Sequence, residues 1–140
     1  MPEKKTLERA REAKKEGKAP TTQAGEFVRE EMEHIRQGKH GARSPQQAIA
    51  IGLSKARRAG VDLPPPRKGT APEATREKAE RDLEAGHRGA KKAVSPKRSK
   101  ATRQALKRES KQAASHSALS KQAKTAAARR RKRGPATSAR

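Results

Sequence analysis

The chain has no cysteine, tryptophan or tyrosine, and a single phenylalanine, Phe27. Without cysteine there are no disulfides, thiolate metal centres or thiol nucleophiles. With a single aromatic residue there is no set of stacking platforms of the kind on which single-strand binders read bases. Large apolar residues are scarce as well: Ile, Leu, Val, Met and Phe together number fifteen in 140 residues. No apolar run approaches the roughly 18 residues a membrane-spanning helix needs. The opening residues MPEKKTLERAREAKKEGK are charged throughout and lack the apolar centre of a secretory signal. These absences predict a soluble, cytoplasmic protein with no membrane partner.

Positive charge is abundant. Lys and Arg number 37 against 15 acids, a formal net charge of +22, and the pI is about 11.4. Such a chain neutralises polyanions, chiefly DNA or RNA. The charge is also unevenly placed. Residues 85–140 carry eighteen bases and one acid, Glu109, for 18 − 1 = +17, whereas residues 1–84 carry nineteen bases and fourteen acids, for 19 − 14 = +5. The apolar residues are distributed the other way. Nine of the fifteen lie between Thr22 and Leu63: Phe27, Val28, Met32, Ile35, Ile49, Ile51, Leu53, Val61 and Leu63. Any core of large side chains lies there, and it is too small to be more than marginal alone. The hairpin and the basic arm are therefore expected to separate by task.

The pattern predicts an all-α chain in five segments. Residues 1–21 mix acids and bases at helical spacing up to Gly17. With Leu7 as the one large apolar residue after Met1, they read as a frayed helix packed on nothing. Residues 22–63 read as a helical hairpin. Its first helix is capped by Thr22 and runs to about Gln37, with Gly38 as its stop. Ala24, Val28, Met32 and Ile35 form its stripe, bordered by Phe27. After the connector GKHGARS, the sequence Ser44-Pro45-Gln46-Gln47 is a capping box with proline at the first helical position. The second helix runs from Pro45 to Gly60, with Ile49, Leu53 and Ala56 as its stripe and Val61 and Leu63 folding back over its end. Residues 64–71 form a proline-rich linker. Residues 72–85 form a spacer helix opened by a second capping box, Thr70 to Glu73, and closed by Gly86. Residues 86–140 form a polycationic arm with helix-forming composition and no apolar stripe. The arm is expected to be largely disordered, or helical when phosphate relieves its self-repulsion.

Catalytic chemistry is not evident. His34 and Glu30 stand four apart on one helix and His40 follows, but no His-Glu-x-x-His pattern or Cys pair completes a metal centre. These read as solvated surface histidines. Gly38-x-x-Gly41 lacks the strand and the length of a phosphate-binding loop. The expectation is no enzyme, no cofactor, no metal and no small-molecule substrate. For nucleic acid, cations alone suffice to engage the duplex backbone. The residues expected to meet phosphate are Lys97, Arg98, Lys100, Arg103, Lys107, Arg108 and the run Arg129, Arg130, Arg131, Lys132 and Arg133, with Lys55, Arg57 and Arg58 as secondary contacts. The hairpin is not a helix-turn-helix: its connector is seven residues long, and its cations sit at the C-terminal end of the second helix rather than at the reading end.

Two resemblances follow from these residues. Ser95-Pro96-Lys97-Arg98 resembles the Ser-Pro-basic-basic element of linker-histone and sperm-histone tails, which implies a minor-groove contact in AT-rich DNA. The block GEFVREEMEHIRQGKHGARSPQQAIAIGLSKARRAGVDLPPP, with SPKRSKATRQALKRES and AASHSALSKQAKTAAARRR behind it, resembles a bacterial family of short basic proteins carrying a domain of unknown function. Some members of that family are labelled plasmid-stabilisation or DNA-binding proteins. The resemblance implies a bacterial cytoplasmic setting and assigns no catalytic residue. Taken together, the expectation is a histone-like, nucleoid-associated protein that binds duplex DNA with little sequence preference. Its hairpin is able to gain stability by pairing as a homodimer. The alternatives are a plasmid-stabilisation or antitoxin-type adaptor that uses the hairpin as a protein-binding surface, and an RNA- or ribosome-associated basic protein.

Overall fold

The structure, a computed structural model, describes residues 2–89 and 95–133. Among them are six α-helices: α1 (Lys4–Lys15), α2 (Pro20–Arg36), α3 (Pro45–Arg58), α4 (Glu73–Arg88), α5 (Pro96–Lys107) and α6 (His116–Arg133). A 3₁₀ turn, Lys111–Ala114, links α5 to α6. No strand occurs among the described residues, which hold one isolated bridge, Lys68 to Ala71. The all-α expectation holds. Ala90–Val94 and Gly134–Arg140 of the basic arm lie outside the described residues.

The hairpin of α2 and α3 is the centre of the fold. The Ser44 hydroxyl oxygen accepts from the Gln47 N–H at 3.2 Å, so α3 starts where its sequence places the cap. Gln47 reaches back one residue beyond the cap: its Oε1 accepts from the Arg43 N–H at 2.7 Å. The start of α2 differs from expectation. It begins at Pro20, with no side-chain cap. Proline at the first helical position needs no partner for its nitrogen, so the helix can open ahead of Thr22.

The face that α3 buries is Ala48, Gly52 and Ala56, at spacings of four; Ile49 and Leu53 flank it and are only partly buried. Small residues let the helices approach closely. A Cβ on Gly52 would lie 2.7 Å from Val28 Cα, so the backbones meet there. Val61 and Leu63 are buried as expected. Arg57, 7 % exposed, holds their segment in place. Its Nε donates to Leu63 O at 3.0 Å and its Nη2 to Pro64 O at 2.9 Å.

Three segments read as peripheral are packed instead. Thr6, Ala10 and Ala13 of α1 are buried, and Ala10 joins Ala24, Phe27, Ala56, Val61 and Leu63 in one apolar cluster, with Leu7 and Leu53 against it. The first helix does not hang free. Ala113 and Ala114 of the 3₁₀ turn join Met32, Ile35, Ala42 and Ala48 in a second cluster, with Val28, Ile49 and Leu119 around it. Main-chain bonds secure this contact: Gly41 N–H to Leu106 O at 2.8 Å and Ala42 N–H to Ser110 O at 3.0 Å. Arg36 Nε donates to Ala114 O at 3.0 Å. The division into an independent hairpin and an independent arm therefore fails between residues 106 and 119. The cover that a marginal hairpin requires is supplied by alanines of the same chain.

The spacer helix is also anchored. Thr70 does not cap α4; its hydroxyl donates to Arg67 O at 2.6 Å, and the helix runs on past Gly86 to an αL cap at Gly89. Gly86 is a contact point, because a Cβ there would lie 1.9 Å from Arg57 O. Asp82 fixes the pair. It is 6 % exposed, accepts from Ser54 Oγ at 2.7 Å and Arg58 Nε at 2.9 Å, and bonds Lys78 of its own helix at 3.1 Å.

Burial pushes the Asp82 carboxyl up, but the bonds from Ser54, Arg58 and Lys78 outweigh it and leave the group below its ordinary value of 3.8. Because the folded carboxyl is the stronger acid, its contribution to stability is present above pH 3.8 and lost as the pH falls through the folded value. Asp82→Asn is expected to cost roughly 1–3 kcal/mol at neutral pH, as breaking charge-assisted bonds at a buried site does. In thermal melts the two proteins should converge in acid, where the wild-type carboxyl is protonated. A difference between them independent of pH would show that the charge is not what holds α4.

Candidate nucleic-acid interface

Two populations of cations emerge from this packing. The first is spent within the protein. Lys55, half-buried, engages the fully buried Glu31. Arg58 pairs with Asp82 at 2.9 Å, Arg29 with Glu33 at 3.4 Å, Arg76 with Glu73 at 3.1 Å and Lys78 with Asp82 at 3.1 Å. Arg57 is enclosed, and desolvation lowers its pKa while Asp82 works against that shift. Of the three expected secondary contacts, Arg57 is turned inward and Lys55 is half-buried against Glu31, whereas Arg58 stays exposed while paired with Asp82. Arg57 in particular serves the main chain of residues 63 and 64. The acids of the front half explain this: they are interleaved with the bases and reach them through the fold.

The second population lies on α5 and α6. Lys97, Arg98, Lys100, Arg103, Lys107 and Arg108 are exposed, as are Arg129, Arg130, Arg131 and Lys132. None of these forms an ion pair among the described residues. On α5, Lys97, Lys100, Arg103 and Lys107 fall within an arc of about 120° at about 100° per residue, which makes one basic face on a helix with no buried residue. On α6, successive cations from Arg129 onward turn right around the axis. Lys121 and Lys124, which the sequence reading did not single out, share a face with Arg131 at spacings of three and seven. That face was visible in the helical spacing, but the denser run after Ala128 masked it.

The base of α6 is fixed and its end is presented. Leu119 packs on the second cluster, the Ser115 hydroxyl oxygen accepts from the Ala118 N–H at 3.2 Å, and residues from Ala128 to Lys132 are exposed. An 18-residue helix is about 27 Å long at about 1.5 Å per residue. The basic turn is therefore carried clear of the core on a stiff support. Arg133 ends α6, and Lys111, exposed on the 3₁₀ turn, lays its ammonium beside Gly38 at the carbonyl end of α2. The carbonyl end of a helix favours a cation.

His34 and His40 are not solvated. Each side chain is 14 % exposed; His34 Nε2 lies 3.0 Å from Glu3 Oε1 and His40 Nε2 lies 3.0 Å from Glu31 Oε2. The connector from α2 to α3 turns His40 inward, because Gly38 takes a φ of 81° and Gly41 sits directly on the Glu109 carbonyl. Neither feature could be read from the spacing of the histidines.

No described helix is long and apolar enough to cross a membrane. No curated protein and no solved structure matches the chain. Residues 21–68, which comprise α2, α3, the Val61–Leu63 return and the proline block, match a family of unknown function, DUF6496. The hairpin at the centre of the fold is thus a module of unknown function, as its resemblance implied.

Proposed function

We propose that the protein binds duplex nucleic acid, DNA in the first instance, through the phosphate backbone and with little sequence preference. The observation that carries this reading is the segregation of cations: among the described residues, eight of the nineteen Lys and Arg of residues 1–84 pair with carboxylates, whereas none of the cations on α5 and α6 does and they face solvent. A helix with cations on all sides suits a groove, where phosphates flank it on both sides. The lack of tyrosine and tryptophan and the burial of Phe27 speak against reading of unstacked bases. On this reading the alanine-rich core is a mount, and the chain acts as a bacterial histone-like, nucleoid-associated protein, in keeping with its resemblances.

Phosphate binding by many cations releases counterions, and the affinity then falls steeply with salt. With about eight phosphates engaged, log K against log salt should have a slope of about −7. Fluorescence anisotropy on a random-sequence duplex and on an AT-rich duplex measures it directly, with an RNA duplex as the competing ligand. A slope shallower than about −2 would remove the polycation mechanism. Clear preference for the RNA duplex would move the assignment from DNA to RNA.

A further inference from the structure

A second cluster of functional groups lies away from the arm, where the N-terminus, α2 and the connector to α3 converge. Glu30, Glu31 and His34 project from α2, His40 comes from the connector, and Glu3 caps α1. Glu31, His34 and His40 each place one ligand atom within 4.8 Å of the others, and so do Glu3, Glu30 and His34. The two triads share His34. Glu31 is 0 % exposed and Glu30 3 % exposed, so this is not a solvated patch of acids.

Two features of the cluster suit a bound cation. The first is the bonding of His40. Its Nδ1 lies 2.8 Å from Gly41 O, a carbonyl that can only accept, so Nδ1 carries the proton. In a neutral ring Nε2 then presents a lone pair, yet it faces the carboxylate oxygen Glu31 Oε2 at 3.0 Å. Two acceptors cannot face each other at that distance. Either the ring is doubly protonated or a cation lies between them. A histidine that donates one nitrogen to a carbonyl while the other faces a site is the usual support of a metal-bound imidazole. The second feature lies in the adjoining triad: Glu30 accepts from the Glu3 N–H through Oε1, while its Oε2 is buried and has no hydrogen-bond partner among the described residues. A cation on the His34 side of the cluster would draw that oxygen toward it and lower the cost.

We propose that Glu31, His34 and His40 bind one divalent transition-metal ion of the zinc type; Glu3 and Glu30, which share only His34 with that triad, would join it only by a side-chain rearrangement. Two imidazoles and one or two carboxylates are a nitrogen–oxygen donor set that suits zinc, cobalt or nickel, whereas calcium and magnesium favour oxygen alone. Lys55 does not close the site, because it bonds Glu31 Oε1 and leaves Oε2 toward His40. The ion would tie α2 to the connector. That same connector holds the 3₁₀ turn through Gly41 and Ala42, so the metal would stabilise the seat of the arm without touching its cations.

The test uses the full chain, stripped with a chelator and titrated with Co²⁺, whose visible d–d absorption reports ligand number, and with Zn²⁺ in competition with a chromophoric chelator. One equivalent should bind, Zn²⁺ should raise the melting temperature reversibly, and His34→Ala and His40→Ala should each weaken binding at least about tenfold. His87→Ala with His116→Ala, the remaining histidines, should bind as the wild type does. Circular dichroism checks that the variants fold. His40→Gln, whose amide can still donate to Glu31, keeps the local bonding while removing the imidazole, and it should also lose the metal. The proposal is overturned if the wild type binds Zn²⁺ no more tightly than the His34→Ala, His40→Ala double variant, if His40→Gln binds normally, or if binding is lost with His87 and His116 instead.

Discussion

Replacing Arg129, Arg130, Arg131 and Lys132 by glutamine is expected to lower affinity for a random-sequence duplex by about a thousandfold at 0.1 M salt. Each phosphate contact contributes about 0.9 to the slope of log K against log salt, so at a tenth molar each contact is worth roughly 0.9 log unit relative to molar salt. Four contacts give between three and four log units, and the slope should flatten by about 3.6. The fold should be unaffected, since these four side chains are exposed and glutamine is a good helix former. A mobility shift or anisotropy titration at two salt concentrations, paired with a melting curve, separates the outcomes. Affinity within a factor of about three of the wild type would mean that the end of α6 does not meet phosphate, and the interface would have to be sought on α5.

The same substitution is preferable to removing the arm at Ala85. Such a truncation takes away Ala113, Ala114 and Leu119 and opens the cluster around Met32, Ile35 and Ala48 to water. A loss of binding in that variant would mix lost charge with lost structure. Cutting after Ser120 leaves the docking residues in place and removes the basic end alone.

The start of α3 could be read from Ser44, Pro45 and Gln47, because capping is a local contract between a side chain and a main-chain N–H three residues on. The pairing of α2 with α3 and the return of Val61 and Leu63 were likewise readable from apolar spacing. The packing of α1 and of the 3₁₀ turn was not, and the reason is alanine. The chain has twenty-six alanines, and an alanine in a solvated helix is written the same way as one in a core. Ala113 and Ala114 are buried by Met32 and Ile35, some eighty residues earlier, and nothing within their own segment marks them. Counting large side chains therefore found the hairpin and missed what covers it. The site divides along the same line. The exposure of the α5 and α6 cations follows from a segment with one acid. The burial of Arg57 depends on where Leu63 and Pro64 place their carbonyls, and the inward turn of His40 on Gly38 and Gly41.

Gly52→Val is expected to be the most damaging single change in the hairpin. Gly52 lies inside α3, where a glycine ordinarily costs about 0.5–1 kcal/mol relative to alanine, so helix propensity alone favours replacing it. Packing argues the other way and is stronger. The new Cβ would stand 2.7 Å from Val28 Cα and 3.0 Å from Val28 N, atoms of the main chain that cannot rotate aside. The helices must separate, which draws Ala48 and Ala56 away from the residues they bury against. Overpacking of this kind costs about 1–3 kcal/mol, and valine adds two methyl groups to the clash, so a loss of about 3 kcal/mol or more is expected. Gly25→Ala provides the control. Gly25 sits inside α2 but is exposed with nothing within 4 Å of a new Cβ, and the change should stabilise by about 0.5–1 kcal/mol. Urea unfolding followed by circular dichroism measures both. If Gly52→Val unfolds at the wild-type midpoint, α2 and α3 do not cross at Val28 and Gly52, and the small-residue contact is not what closes the hairpin. DNA affinity of the loosened variant, measured below its unfolding midpoint, should stay close to that of the wild type, because the cations proposed to meet phosphate lie on α5 and α6, away from that crossing.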